Sequence, residues 1–190
     1  DWSSDVCSSD LFFNINNYSY TNAEIDDKPL IIIDAGHGGD DGGAVDNNII
    51  EKDINLAISK KLSDLLKSSG FKVKMTRTSD KMINTNGKTL RERKVSDMKN
   101  RLSIYNSSSN NIVISIHQNK FPVEKYNGTQ IFYNTSNKNS KLLAESLKSN
   151  IKTLLQPYNE RECKPADNNI YLLYNSKVAS VIVECGFISN

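Results

Sequence analysis

The chain has 190 residues, 37% of them hydrophobic and 24% charged, a balance that fits one ordinary globular domain and excludes a disordered or fibrous chain. Its 24 basic and 22 acidic residues leave a net charge of +2 without a long run of one sign, which excludes the basic stripe of a nucleic-acid partner. No apolar run is long enough for a transmembrane segment, and three scattered cysteines (Cys7, Cys163, Cys185) make no disulfide framework.

Residues 1–29 read as a leader outside the fold. Asp1–Asp10 (DWSSDVCSSD) has neither helical nor strand periodicity and resembles translated sequencing-adapter DNA. Leu11-Phe12-Phe13 before a polar stretch fits either the end of an export signal or a plain polar leader. From residue 30 strands and helices alternate. Leu30–Asp34 is a short apolar strand, and Glu51–Ser69 is a helix with Ile54, Ile58, Leu62, Leu65 and Leu66 at inward spacing, stopped by Gly70. Phe71–Thr76 alternates as a half-buried strand. Thr89 and Glu92 have capping-box spacing and open a helix with Val95, Met98, Leu102 and Tyr105 on one face. Ile112–Ile116 and Thr129–Tyr133 are strands, and Leu142–Leu155 is a helix with Leu143, Leu147, Ile151 and Leu154 inward. Ile170–Leu173 and Val178–Cys185 complete the set. The pattern predicts a single layered α/β domain over residues 30–190, with a mostly parallel twisted sheet of about six strands flanked by helices. Because the chain stops at Asn190 behind an apolar run that such a fold covers with another helix, a truncated domain is expected.

The chemistry concentrates at strand ends. The chain has two histidines, and both follow apolar strands: His37 after LIIIDAG and His117 after IVISI. Glu184 ends the run VASVIV in the same way. Open α/β sheets bind ligands beyond the carboxyl ends of their strands, so three groups suited to metal and proton chemistry stand where a site is built. Each also has a plainer reading. A histidine is more often a hydrogen-bonded structural group, and Glu51, in a first helical turn, reads by position as a solvated carboxylate favourable to the helix dipole. Glu184 differs, because an unpaired charge beside VIV is costly; it must raise its pKa or meet a cation. Cys185 points to the opposite face as a small buried hydrophobe. The glycines around His37 leave open space at its imidazole, and no phosphate-loop pattern is present.

Five segments in order, Ile31–Gly43 (IIIDAGHGGDDGG), Glu51–Leu56 (EKDINL), Thr76–Asp80 (TRTSD), Val113–Asn119 (VISIHQN) and Val181–Asn190 (VIVECGFISN), resemble the zinc-dependent N-acetylmuramoyl-L-alanine amidases of bacterial cell walls. Arg91–Arg101 and Pro165–Leu173 are most similar to the sporulation branch of that family. The resemblance implies Zn2+ held by His37, Glu51 and His117, with Glu184 as the catalytic proton acceptor. Asn119, two residues beyond His117 on an extended chain, is a candidate hydrogen-bonding group for a substrate amide. Arg77 and Arg93 read as surface residues or structural ion pairs ahead of the alternative that they meet the carboxylates of the substrate peptide. The implied substrate is the peptidoglycan glycan-peptide, in an exported enzyme of the cell wall or of the space between mother-cell and forespore membranes. The implied biology is cell-wall lysis or spore-cortex maturation, where muramic-δ-lactam forms, with an activating lipoprotein as partner. Two alternatives stay open: another zinc peptidase built on the same ligands, and a non-catalytic wall-binding module.

Overall fold

The apolar run Leu30–Ala35 forms β1, hydrogen-bonded to a strand on either side. A continuous apolar stretch suits such a strand because both of its faces are covered. The computed structural model describes residues 28–123 and 125–190; the expected leader, apart from Lys28 and Pro29, lies outside the described residues. After β1 come a small hairpin, β2 (Val45–Asp46) and β3 (Ile49–Ile50), then α1 (Glu51–Ser68), β4 (Lys72–Met75) and α2 (Leu90–Tyr105). They are followed by β5 (Ile112–Asn119), β6 (Gln130–Tyr133), α3 (Lys138–Leu154), β7 (Lys164–Pro165), α4 (Tyr171–Asn175) and β8 (Ala179–Phe187). Six strands form one sheet in the order β4-β1-β5-β8-β6-β7, parallel at every pair except β6 with β8. This is the α/β architecture read from the sequence.

The sheet's alternation sorts its side chains onto two faces. Ile31, Ile33, Ile116, Val181 and Val183 face one side, where Ile58 and Leu62 of α1 and Leu147 of α3 pack on them. Ile32 and Val113 face the other, against Tyr105 of α2 and Leu172 of α4. Ile32, Ile33, Val113 and Val181 are fully buried. Each such side chain stabilises by about 1.5–3 kcal/mol, so sheet burial outweighs helix propensity, which differs by only tenths between most residues.

Local signals fixed several boundaries. The Thr89–Glu92 capping box forms with both hydrogen bonds, and Gly70, at φ +83°, ends α1 in the left-handed conformation that glycine alone adopts without strain. Other expectations need correction. On α1 the fully buried row is Glu51, Asn55, Ser59 and Ser63, while Leu65 is 64% exposed. Short side chains let the helix backbone approach the sheet, and the leucines pack to its sides. On α2 the buried residues are Ser96, Asp97, Arg101 and Tyr105, and Val95 is exposed. That helix turns a polar face inward because a buried carboxylate, Asp34, waits beneath it. Leu154 of α3 is also exposed. In the segment Ile170–Leu173, Ile170 is the N-cap and the other three residues open the short helix α4. The β2–β3 hairpin, absent from the sequence reading, closes on Asn47 and Asn48 at φ 44° and 66°, the left-handed pair of a two-residue hairpin turn.

Candidate metal centre

β1, β5 and β8 are adjacent and parallel, so their carboxyl ends open at one edge of the sheet. His37 follows β1, His117 lies near the end of β5, and Glu51 is the first residue of α1. One ligand atom from each of these three residues lies within 4.8 Å of the others. Glu51 stands between the imidazoles: its Oε2 is 3.3 Å from His37 Nε2 and its Oε1 is 3.0 Å from His117 Nδ1. The two rings meet edge to face at 5.0 Å.

Glu51 is 4% exposed, against the solvated position that its place in the helix suggests. The Ala44 N–H donates to Oε2 at 2.8 Å, and the Gln118 N–H (3.2 Å) and Asn55 Nδ2 (3.1 Å) donate to Oε1. Burial by itself favours the neutral acid. Hydrogen bonds and charge from the two histidines prevail and hold this carboxyl well below the usual carboxylate range. Burial likewise acts to lower the His37 imidazole, but Asp41 and Glu51 raise its pKa to about 9. Asp41 Oδ2 accepts from His37 Nδ1 at 2.9 Å and is itself paired to Lys94, which fixes the ring so that Nε2 faces Glu51. A carboxylate on the outer ring nitrogen is the usual orienting device of a metal-ligating histidine.

The cradle depends on glycine. A side chain at Gly36 would overlap the His117 ring, and one at Gly43 (φ +70°) would come within 2.5 Å of Glu51 Oε2 and 2.6 Å of His37 Cδ2. Two nitrogens and a carboxylate oxygen, drawn from three elements and oriented by further hydrogen bonds, fit a zinc ion; this donor set leaves a fourth tetrahedral position open.

Glu184 is the register partner of His117 across β5 and β8, so both side chains rise on one face of the sheet. Its Oε2 is buried with no hydrogen-bond partner among the described residues. Burial raises its pKa; Glu51 adds to the rise, and the histidine charges oppose it. Burial thus favours the protonated form of this carboxyl, and its Oε2 keeps an unused lone pair.

The model of the N-acetylmuramoyl-L-alanine amidase family matches residues 31–190. The chain belongs to this family. The germination-specific N-acetylmuramoyl-L-alanine amidase of Bacillus subtilis (strain 168) is 34% identical over 162 residues, covering 85% of this chain and 68% of the relative. The structure of the CwlD amidase from Clostridioides difficile, in complex with the GerS lipoprotein, superposes with a TM-score of 0.80 at 42% identity, over 86% of this chain and 84% of that one. An N-acetylmuramoyl-L-alanine amidase from Clostridium difficile 630 gives 0.72 at 28% identity, over 86% and 82%.

Within this family member the expected site residues divide by place. His37, Glu51 and His117 converge, and Glu184 stands beside them outside the trio. Asn119 ends β5, where β8 carries one residue more than β5 between the paired positions; its carbonyl accepts the Ile188 N–H at 2.9 Å. Arg93 pairs with Asp40 at 2.8 Å, whereas Arg77 is neither surface nor ion pair: it is 1% exposed and bonded to backbone carbonyls. Cys185 is half-buried against the core. Asp41, Asn55 and Gln118 went unread. The i,i+4 spacing of Glu51 and Asn55 on a helix carried a usable signal for Asn55, whereas Asp41 stands in a glycine loop to which that spacing rule does not apply.

Beneath the site lies a buried charge network, also unread. Asp34 is fully buried and accepts from Arg101 Nη1 (2.6 Å), Tyr105 (2.6 Å), Thr76 (2.7 Å) and Ser115 (2.7 Å). Burial pushes its pKa up, but the Arg101 guanidinium and these hydroxyls hold it well below the usual range. Arg101 also binds Asp97 and the carbonyls of Ala35 and His37, which ties α2 to the loop carrying His37.

Proposed function

We propose that residues 30–190 hydrolyse the amide bond between N-acetylmuramic acid and L-alanine in peptidoglycan, with zinc held by His37, Glu51 and His117. The observation that carries this reading is the convergence of the three ligand atoms within 4.8 Å at the carboxyl ends of the central strands. Bound zinc supplies Lewis-acid polarisation of the scissile carbonyl and lowers the pKa of water toward about 7. The chain's own part is positioning and proton transfer. Glu184 accepts a proton from the attacking water on its unpartnered Oε2 and returns it to the departing L-alanine nitrogen. Asn119, whose side-chain amide has no hydrogen bond among the described residues, donates to or accepts from a substrate amide at the rim.

The proposed setting is spore-cortex maturation with muramic-δ-lactam formation, outside the cytoplasm and with a lipoprotein partner; likeness to the germination-specific amidase supports the link to germination, and likeness to CwlD in complex with GerS supports the partner. The test is mass spectrometry of denuded peptidoglycan digested by the purified chain, alongside its zinc content. The expected products are L-alanine-terminated peptides and peptide-free muramic acid. In His117→Ala both zinc and product are expected to vanish. Cleavage between amino acids of the peptide would refute the assigned bond, and full zinc in His117→Ala would refute the ligand set.

A further inference from the structure

The TRTSD segment (Thr76–Asp80) is as distinctive in the sequence as the ligand segments, yet none of its side chains is among the proposed ligands. What it touches is the loop of His37. That loop takes an unfavourable path: His37, Gly38 and Gly39 have φ of 60°, 140° and 55° in succession. A histidine in the left-handed region is strained, so the turn persists only where its surroundings hold it.

Two groups grip it. Arg77, buried to 1% exposure, donates Nε to Ala35 O (2.9 Å), Nη2 to Gly36 O (2.9 Å) and Lys52 O (2.7 Å), and Nη1 to Ser79 O (3.2 Å). All four acceptors are backbone carbonyls, and among the described residues it has no salt bridge to a carboxylate. Burying a guanidinium without one is costly, and what it secures here is the chain immediately before His37. The second grip closes the other side. Asp80 Oδ1 accepts the Gly39 N–H at 2.7 Å, while Lys52 Nζ donates to Gly39 O at 2.8 Å and to Asp80 Oδ2 at 2.7 Å. Both backbone groups of Gly39 are thus held by one ion pair. Gly38 lies against Arg77 and the Lys81 carbonyl, leaving no room for a side chain.

We propose that Arg77 and the Lys52–Asp80 pair are positioning residues for His37: they clamp the left-handed turn that aims its imidazole at Glu51 and His117, and so set the affinity of the metal centre. This rests on His37 being a ligand. Asp80→Ala removes half of the clamp at a partly exposed position, where folding is retained. Zinc affinity, read by competition with a chromophoric chelator, is expected to fall about 10–100-fold, the usual effect of losing a partner that orients a ligand. Hydrogen exchange of residues 36–41 in metal-free protein is expected to speed up, with the melting temperature of that protein nearly unchanged. Asp80→Asn, which keeps an acceptor for Gly39, should recover part of the affinity. Arg77→Lys, which keeps the charge without the fork, should lose affinity as well. Asn134→Ala removes a buried hydrogen bond to Ser176 O remote from the loop, and should lower the melting temperature while leaving zinc affinity alone. Wild-type zinc affinity in Asp80→Ala, or an equal loss in Asn134→Ala, overturns the proposal. Zinc binding that survives His117→Ala overturns the ligand assignment instead; unchanged loop exchange in Asp80→Ala overturns the clamp in either case.

Discussion

Arg101→Met tests whether the network under the metal site is held by charge. The substitution keeps an unbranched apolar stem, shorter by the guanidinium carbon and its terminal nitrogens, and removes the one cation bonded to Asp34 among the described residues; Asp34 is 0% exposed. It also frees Asp97 and the carbonyls of Ala35 and His37. Breaking one side of a buried ion pair costs about 3–5 kcal/mol, because the remaining charge is left without a counter-ion. For a chain of this size that corresponds to a fall of about 6–20 °C in melting temperature. The pH dependence separates charge from packing. In the wild type the Asp34 pKa is depressed on folding, so its contribution is complete above the unfolded value of about 4 and is lost as pH falls toward the folded value. In Arg101→Met burial prevails and raises the folded pKa above the unfolded one, so this group penalises the variant most at neutral pH. The stability gap, measured by urea unfolding of metal-free protein from pH 4 to 7, is therefore expected to narrow on acidification. Adding Asp34→Asn to Arg101→Met should restore part of the loss, since no buried charge remains. A gap below about 1 kcal/mol at pH 7, the scale of an exposed pair, or a gap that ignores pH, would refute the reasoning.

Glu184→Gln should keep zinc and lose about 10²–10⁴-fold in turnover on peptidoglycan, because the amide cannot take the proton. Glu51→Gln should lose metal first, with activity following; zinc stoichiometry and release of muropeptide amino groups read the pair, and the reverse order would exchange the two roles. Gly43→Ala places a methyl group against Glu51 and His37 at φ +70°, so zinc content should drop sharply; an alanine variant with full metal would mean that the cradle has slack. Ser59→Ala removes a fully buried hydroxyl that has no hydrogen-bond partner among the described residues and favours helix, so urea unfolding should show a gain of about 1 kcal/mol. A loss of stability would mean that the hydroxyl is satisfied in solution.

The sequence by itself determined the α/β class and the order of the principal elements, and it singled out His37, His117 and Glu184, three of the four residues to which the proposed zinc and proton chemistry is assigned. These are legible because their signals are local: apolar runs, the Thr89–Glu92 box, the stop at Gly70, and the place of His37, His117 and Glu184 at strand ends. The resemblance supplied Glu51, which its position in a first helical turn argued against. Only the tertiary structure decided that the Glu51 carboxylate lies between two imidazoles, since that contact joins residues 14 and 66 positions apart. It also decided which side of α2 turns inward. Helical periodicity weighs only the helix's own side chains and favoured Val95 and Leu102; the deciding partner, Asp34, comes from β1, 67 residues before Arg101. A buried charge dictates what surrounds it through space, and no pattern local to the chain records where it will lie.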